Sequence, residues 1–174
     1  MDKTEIVQIA SQMSTREDLL ALLNRIKQDE IRELGFDADK FYPFTMKQLL
    51  YYCNPNHVFH RYRQFKIKKK SGGFRQIATP RNRSFIMLLR SVNEVLKAIY
   101  TPSDYAMGFA EKRSVVTNAA VHRSQNYVFN IDLKDFFPSV EQGRVMKRLT
   151  LAPFNFSPQI ALLISGLCSM RVKR

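Results

Sequence analysis

Apolar residues recur at helical spacing in the first part of the chain. An apolar stripe from Leu19 to Ile26 follows Thr15, which is suited to cap a helix that begins at the next residue. A shorter helix is predicted from Thr45, with Gln48 at the capping-box position, and it should end before Asn54-Pro55. The N-terminal part of the protein is therefore predicted to be helical.

The pattern changes to an alternation of apolar and charged residues near position 62. Phe65 and Ile67 alternate with basic residues, as in a half-buried strand, and Gly72-Gly73 supplies the positive φ that a tight turn requires. Residues 62–78 are therefore predicted to form a basic β-hairpin. A helix with an apolar face is predicted to follow from Ser84 to Tyr100.

A second alternating segment is found at 127–133, where Phe129, Ile131 and Leu133 share one face of a predicted strand. Ser139 and Gln142 are spaced as a capping box for a helix at roughly 140–149. Ser157-Pro158 is expected to open the last helix. The mixture of helices and strands indicates an α+β or an α/β protein.

Composition excludes several classes of protein. The chain has 174 residues, 45% of them hydrophobic and 25% charged, which is typical of a globular protein with one compact domain, or with one domain and an appendage. No apolar run approaches the roughly 18 residues of a membrane span, and the N-terminus does not resemble a signal peptide. Two cysteines, Cys53 and Cys168, are too few for a disulfide scaffold or a zinc ribbon. A reduced, cytoplasmic protein without a membrane partner is expected.

The net charge of +13 is concentrated in one segment. Residues 61–90 contain ten Lys and Arg and no Asp or Glu, with Tyr62, Phe65 and Phe74 interleaved. A solvated basic surface is one interpretation of this pattern. A surface that faces phosphates is favoured, because so one-sided a block attracts polyanions. Basicity does not distinguish RNA from DNA or from a nucleotide.

Asp132 is the first candidate for chemistry, because it lies at the end of the predicted apolar strand. A carboxylate buried there requires a cation or a metal ion. Asp135 follows three residues later, and Pro138 is expected to hold Phe137 in an extended conformation beside both carboxylates. Such a pair alone is typical of a turn or a helix cap. Together with a basic hairpin it suggests Mg²⁺ chemistry on phosphates.

Four segments resemble bacterial retron and group II intron reverse transcriptases. The sequence N-I-D-L-K-D-F-F-P-S at 130–139 resembles their first catalytic motif, and 67–80 resembles their fingers hairpin. Gly108-Phe109 with Arg113-Ser114 is also similar to a family pattern. The sequence N-A-x-x-H at 118–122 resembles a signature of the retron enzymes. The four occur in the family's order.

The resemblance implies roles for the residues around Asp132. Asp132 matches the first metal-binding catalytic aspartate, and the backbone carbonyl of Leu133 matches a second metal contact. Asp135 and Phe136 are expected to line the sugar and phosphates of the incoming nucleotide. Phe137 matches the bulky residue that excludes a ribonucleotide 2′-hydroxyl. Mg²⁺ is the cofactor that these roles imply.

The resemblance also implies binding residues elsewhere. Lys69 and Arg75 match fingers residues that hold the triphosphate, although Lys69 is equally well explained as a solvated lysine. Asn118 and His122 are expected to share a helical face and to contact RNA, with local structural hydrogen bonding as the alternative. The expected nucleic-acid-binding residues are Arg63, Lys66, Lys68, Asn118 and His122.

The implied fold is α+β, with the fingers and the first part of the palm of a right-hand polymerase. We expect an N-terminal helical extension at 1–58, fingers at 59–126 and the start of the palm at 127–174. A complete enzyme of this kind also carries a Q-G motif, a Y-x-D-D motif and a thumb, which this sequence lacks. We therefore expect an incomplete N-terminal portion that is inactive by itself.

The expected function is that of a retron-type RNA-directed DNA polymerase, which copies a structured non-coding RNA into DNA by two-metal nucleotidyl transfer. The implied partners are the RNA template and primer, the DNA product, deoxynucleoside triphosphates and the remaining palm and thumb. An effector protein of an antiviral defence system is a further expected partner. The alternative is a non-catalytic RNA-binding or scaffolding module of such a complex.

Overall fold

The structure is a computed structural model that describes residues 1–33, 41–134 and 136–169, and its class is mixed α+β. The strands are β1 (Tyr62–Lys68) and β2 (Phe74–Pro80), and a 3₁₀ turn spans Pro55–His57. The helices are α1 (Lys3–Gln12), α2 (Arg16–Glu33), α3 (Met46–Cys53), α4 (Val58–Arg61), α5 (Arg83–Ile99), α6 (Val115–Val121), α7 (Phe136–Ser139), α8 (Gln142–Leu149) and α9 (Pro158–Cys168). None of the described helices combines the length and the apolar character that crossing a membrane requires.

The predicted starts of α2 and α3 are confirmed in atomic detail. The hydroxyl of Thr15 accepts a hydrogen bond from the backbone N–H of Asp18, whose carboxylate accepts one from the N–H of Thr15. Thr45 and Gln48 form the predicted capping box at the start of α3. Each start is fixed by side chains within one helical turn, and α3 ends before Asn54 as expected.

The core lies between the N-terminal helices, α5 and α9. The predicted helix from Ser84 is confirmed as α5, and its apolar face packs against α1 and α2, while α9 packs against α3 and α8. Large apolar side chains that are almost completely buried include Leu19, Leu22, Leu23, Leu49, Phe85, Leu88, Val95, Ile160, Ile164 and Leu167. The core is therefore helical, and the two strands lie at its edge.

Gly166 permits a close approach between α9 and the end of α3. A β-carbon at this position would lie 2.2 Å from the carbonyl oxygen of Cys53, which is far inside van der Waals contact. Glycine is required here for its lack of a side chain, because the backbone of α9 touches the end of α3.

The predicted strand at 127–133 is wrong for this structure. These residues have no regular secondary structure, and Tyr127, Phe129 and Ile131 expose most of their side chains. The physical reason is the lack of a pairing partner, because a strand is stabilised by a hydrogen-bonded neighbour. In the described part of the chain, β1 and β2 pair only with each other. None of the described residues between 99 and 148 is buried.

Two local predictions near position 138 are also wrong. The Ser139 hydroxyl donates to the carbonyl oxygen of Phe136, so it does not cap α8, which begins at Gln142 without a side-chain cap. Phe137 is helical rather than extended, because α7 includes Pro138. Proline is tolerated in a first helical turn, where its missing N–H would have no intrahelical acceptor.

Candidate nucleic-acid and nucleotide site

The basic hairpin is confirmed, and its geometry follows from the turn. The N–H of Lys69 donates to the carbonyl of Gly73 over 3.0 Å, and the N–H of Gly72 donates back to the carbonyl of Lys69 over 3.2 Å. Gly72 and Gly73 have φ values of 88° and 77°, which glycine adopts without strain. The turn therefore fixes the register of both strands.

The register divides the predicted binding residues between two faces. Ile67 is paired with Arg75 and Phe65 with Ile77, so Arg75 lies on the face that also carries Arg63. Lys68 is paired with Phe74 and Lys66 with Gln76 on the opposite face. Phe65 and Ile67 are about two-fifths exposed, so the strand protrudes and is not half-buried as predicted.

The structure brings the two predicted triphosphate-binding residues together. A concavity of about 390 Å³ near the tip of the hairpin is lined by both Lys69 and Arg75. The other lining residues are Ile67, Lys68, Lys70 and Ser71. Four cations thus surround one open depression, and none of them forms an ion pair with a described carboxylate. A triphosphate can neutralise this arrangement.

Arg61 anchors the base of the hairpin in the core. Its Nη1 donates to the carbonyl oxygens of Tyr52, over 2.7 Å, and of Gly166, over 2.9 Å. Its Nη2 donates to the carbonyl oxygen of Ser169 over 3.0 Å. These carbonyls lie at the ends of α3 and α9, where a cation offsets the partial negative charge of the helix termini. The N–H of Arg81 closes the hairpin by donating to the carbonyl of Arg61 over 2.8 Å.

The structural role of Arg61 was not apparent from the sequence, because Arg61 lies in the basic segment 61–90 that was predicted to face phosphates. The residue is fully buried, and its burial lowers the pKa of the guanidinium. Nε has no hydrogen-bond acceptor among the described residues. No periodicity or motif distinguishes this arginine from its exposed neighbour Arg63, so contacts distant in sequence were needed to identify it.

Asp132 is exposed, which corrects the expectation of a buried carboxylate at a strand end. It forms no ion pair with a described residue, and solvation removes the need for a partner. Leu133 is exposed beside it, and the prediction for Asp135 lies outside the described residues. The described residues contain no group of three or more His, Cys, Asp or Glu side chains arranged to hold a metal ion.

The two phenylalanines that follow are adjacent in space. The rings of Phe136 and Phe137 meet edge to face, with their centroids 5.3 Å apart, and Phe137 is three-quarters exposed. No hydrogen bond or ion pair between described residues joins this segment to the hairpin. The predicted site residues of this segment are therefore not linked to those of the hairpin by any such interaction.

Asn118 and His122 lie on the exposed helix α6 and at its end. Ser114 and Thr117 form a capping box at the start of this helix, and His122 is its C-cap. The side chains of Asn118 and His122 are both exposed, and neither forms a hydrogen bond with another described residue. Their predicted contact with RNA is sterically open.

Comparison with curated proteins finds retron reverse transcriptases. The Retron Mx65 reverse transcriptase of Myxococcus xanthus is 34% identical over 110 residues, which are 63% of this chain and 26% of that protein. The Retron Ec83 reverse transcriptase of Escherichia coli is 28% identical over 107 residues, 62% of this chain and 34% of that protein. The Retron Ec86 reverse transcriptase of Escherichia coli is 30% identical over 106 residues, 58% of this chain and 30% of that protein.

The matched region is thus a minor part of each relative, between 26% and 34% of its length. No protein-family profile matches the chain. No solved structure matches it.

Proposed function

This chain is a relative of the retron reverse transcriptases, and we propose that it forms the nucleotide- and RNA-binding part of an RNA-directed DNA polymerase of the retron type. The observation that supports the proposal most directly is that Lys69 and Arg75 line the same concavity. It lies at the tip of a basic hairpin that contains no Asp or Glu. Its cations are suited to the charge of a deoxynucleoside triphosphate.

Asp132 is the side chain that we propose as a ligand of the metal ion. Mg²⁺ prefers one or two carboxylates together with water and substrate phosphates, so an exposed aspartate and the carbonyl of Leu133 fit part of its ligand set. Asp135 and Phe136 would lie beside the sugar and phosphates of the nucleotide. The metal ion would neutralise the charge that develops on the phosphates, and further carboxylates are needed to hold a second ion.

The remainder of the palm is the proposed partner of residues 127–134. This segment alternates apolar and polar residues, but its apolar side chains are exposed and its backbone has no strand beside it in the described part of the chain. A neighbouring strand would satisfy the backbone and cover Phe129 and Ile131. Structured RNA, its DNA copy and an effector protein complete the proposed partners.

A triphosphate-binding assay tests the proposed nucleotide site directly. The purified chain should bind a fluorescent deoxynucleoside triphosphate in the presence of Mg²⁺, and replacement of Lys69 and Arg75 by Gln should weaken that binding at least tenfold. Lys47→Gln is the matched control, because Lys47 is an exposed lysine on α3, outside the hairpin. Equal affinity of the hairpin variant and the control would contradict the proposed nucleotide site.

DNA synthesis tests the assignment of Asp132. We expect no synthesis by residues 1–174 alone, and template-dependent synthesis by a polymerase that contains them together with its palm. Asp132→Asn should abolish that synthesis, whereas Glu141→Gln should not. Glu141 is a suitable control because it is an exposed acid whose side chain makes no capping hydrogen bond. Normal synthesis by the Asp132→Asn enzyme would contradict its role as a metal ligand.

A non-catalytic RNA-binding module is the second candidate function. It is favoured by one observation, which is that Asp132 lies in a segment without regular structure and away from other described carboxylates. In that case RNA binding by the hairpin would persist, and no partner palm would restore synthesis. The two experiments above therefore distinguish the candidates.

A further inference from the structure

We propose that the hairpin face that carries Phe74 binds a single-stranded segment of nucleic acid, with one base stacked on Phe74 and adjacent phosphates held by Lys66 and by Lys68, which also lines the triphosphate concavity. The proposal deepens the proposed function, because it assigns a second, separate ligand to the same hairpin. It adds a stacking aromatic residue to the lysines that the sequence had indicated.

The strand register places these three side chains together. Phe74 is directly paired with Lys68, and Lys66 is two pairs further from the turn, where it is paired with Gln76. Because side chains of paired residues project to the same side of a sheet, Phe74 and both lysines share one face. Residues in direct and diagonal pairs are within reach of each other when the side chains are long.

Phe74 has the exposure of a ligand-binding ring and not of a core residue. It is 66% exposed, the highest value among the exposed large apolar side chains of the hairpin. No described aromatic ring stacks on it, and no described cation lies over it. Packing therefore does not explain a large aromatic residue at this position, whereas Phe65 on the other face is only about two-fifths exposed.

The chemistry of this face suits an unpaired nucleotide strand. Every base has a flat face that can stack on an aromatic ring, and lysines beside the ring can neutralise the neighbouring phosphates. Next to them, Gln76 donates to the side-chain oxygen of Gln64 over 3.0 Å. This amide pair leaves further donors and acceptors at the surface. A duplex would not offer the same contact, because its bases are stacked on each other.

A base on Phe74 and a triphosphate can be bound at the same time, because Phe74 and Lys66 do not line the concavity and Lys68 lies between the two ligands. Arg75 follows Phe74 directly, and adjacent strand residues project to opposite sides. A triphosphate in the concavity that contains Arg75 therefore does not compete with a base on Phe74. This arrangement would place a single strand and a nucleotide next to each other on one two-stranded ribbon.

The test is the affinity of the purified 174-residue chain for fluorescent single-stranded 12-mers of RNA and of DNA. Phe74→Ala should weaken binding about tenfold, and Phe74→Trp should restore it. Phe65→Ala is the matched control, because it removes the same side chain from the opposite face and should change affinity less than twofold. Triphosphate affinity should be unchanged in Phe74→Ala, so this test can fail while the proposed nucleotide site holds.

Two further measurements test the proposal: the salt dependence of single-strand affinity and the affinity for a duplex. Replacing Lys66 and Lys68 by Gln should reduce the slope of log affinity against log salt concentration by about 1.4, from about 0.7 for each single-strand phosphate contact. A duplex of the same sequence should bind with equal affinity to wild type and Phe74→Ala. The proposal is wrong if Phe74→Ala and Phe65→Ala bind single strands equally, or if Phe74→Ala weakens duplex binding as much as single-strand binding.

Discussion

The guanidinium of Arg61 donates a hydrogen bond of 2.9 Å to the carbonyl oxygen of Gly166, which lies 105 positions further along the chain. The same group also binds the end of α3 through the carbonyl of Tyr52. Since β1 begins at the next residue, one buried side chain connects the hairpin to both α3 and α9. The position of the binding surface therefore depends on a core arginine.

Arg61→Met should destabilise the protein by about 2–4 kcal/mol, because it leaves buried carbonyl oxygens without a donor. Arg61→Lys should be destabilising too, since an ammonium group cannot reproduce the planar fork that reaches three carbonyls. Urea denaturation measures the change, with Arg63→Met on the exposed strand as the control. A loss of stability no larger than that of Arg63→Met would contradict the structural role of Arg61.

Gly166→Ala should also destabilise the protein, although alanine normally favours a helix. The added β-carbon would overlap the carbonyl oxygen of Cys53, which belongs to the backbone and cannot rotate away. We expect a loss of at least about 2 kcal/mol in the free energy of unfolding, comparable with overpacking of a core. Gly143→Ala in α8 is the matched control, because an added β-carbon there meets no atom within 4 Å and should stabilise by up to about 1 kcal/mol. Stabilisation by both substitutions would refute the close helix contact.

The carboxylate of Asp18 should make stability dependent on pH in acid. Hydrogen bonds from the backbone N–H groups of Ser14 and Thr15 lower the pKa of Asp18 from 3.8 to about 2. Because the folded-state pKa is the lower one, this contribution is complete above about pH 4 and is lost as pH falls towards 2. Asp18→Asn should lower stability at pH 6, and its difference from wild type should shrink by pH 2. Urea denaturation of both proteins at each pH measures this difference, and a difference that stays constant from pH 6 to pH 2 would contradict the role of Asp18.

Sequence reasoning succeeded where structure is determined locally. The starts of α2 and α3 were predictable because Thr15 and Thr45 meet their partners within one turn, and Gly72-Gly73 was sufficient to predict the hairpin. These features require few contacts between distant parts of the chain. The triphosphate-binding roles of Lys69 and Arg75, which came from family resemblance and not from spacing, remain predictions.

The predictions that failed depend on distant partners. A strand at 127–133 requires a neighbour, which a period-two pattern cannot supply, and the described residues form none. The burial of Arg61 depends on α9, more than a hundred residues away. The proline rule misjudged Phe137 because it describes a preference of the preceding residue, which a helical first turn overrides. The division at 58 and 126 remains a prediction.

Phe137 is the proposed discriminator between deoxyribonucleotides and ribonucleotides, and its ring is free to meet a sugar because three-quarters of it is exposed. In a polymerase that contains this chain, Phe137→Ala should retain synthesis and raise the efficiency of ribonucleotide incorporation at least tenfold, since it removes bulk without removing a proposed metal ligand. Phe136→Ala is the matched control, because its ring lies only 5.3 Å away and is also exposed. The measurement is the ratio of kcat/KM for a deoxynucleotide to that for the matching ribonucleotide. If Phe136→Ala lowers this ratio and Phe137→Ala does not, the steric gate belongs to Phe136.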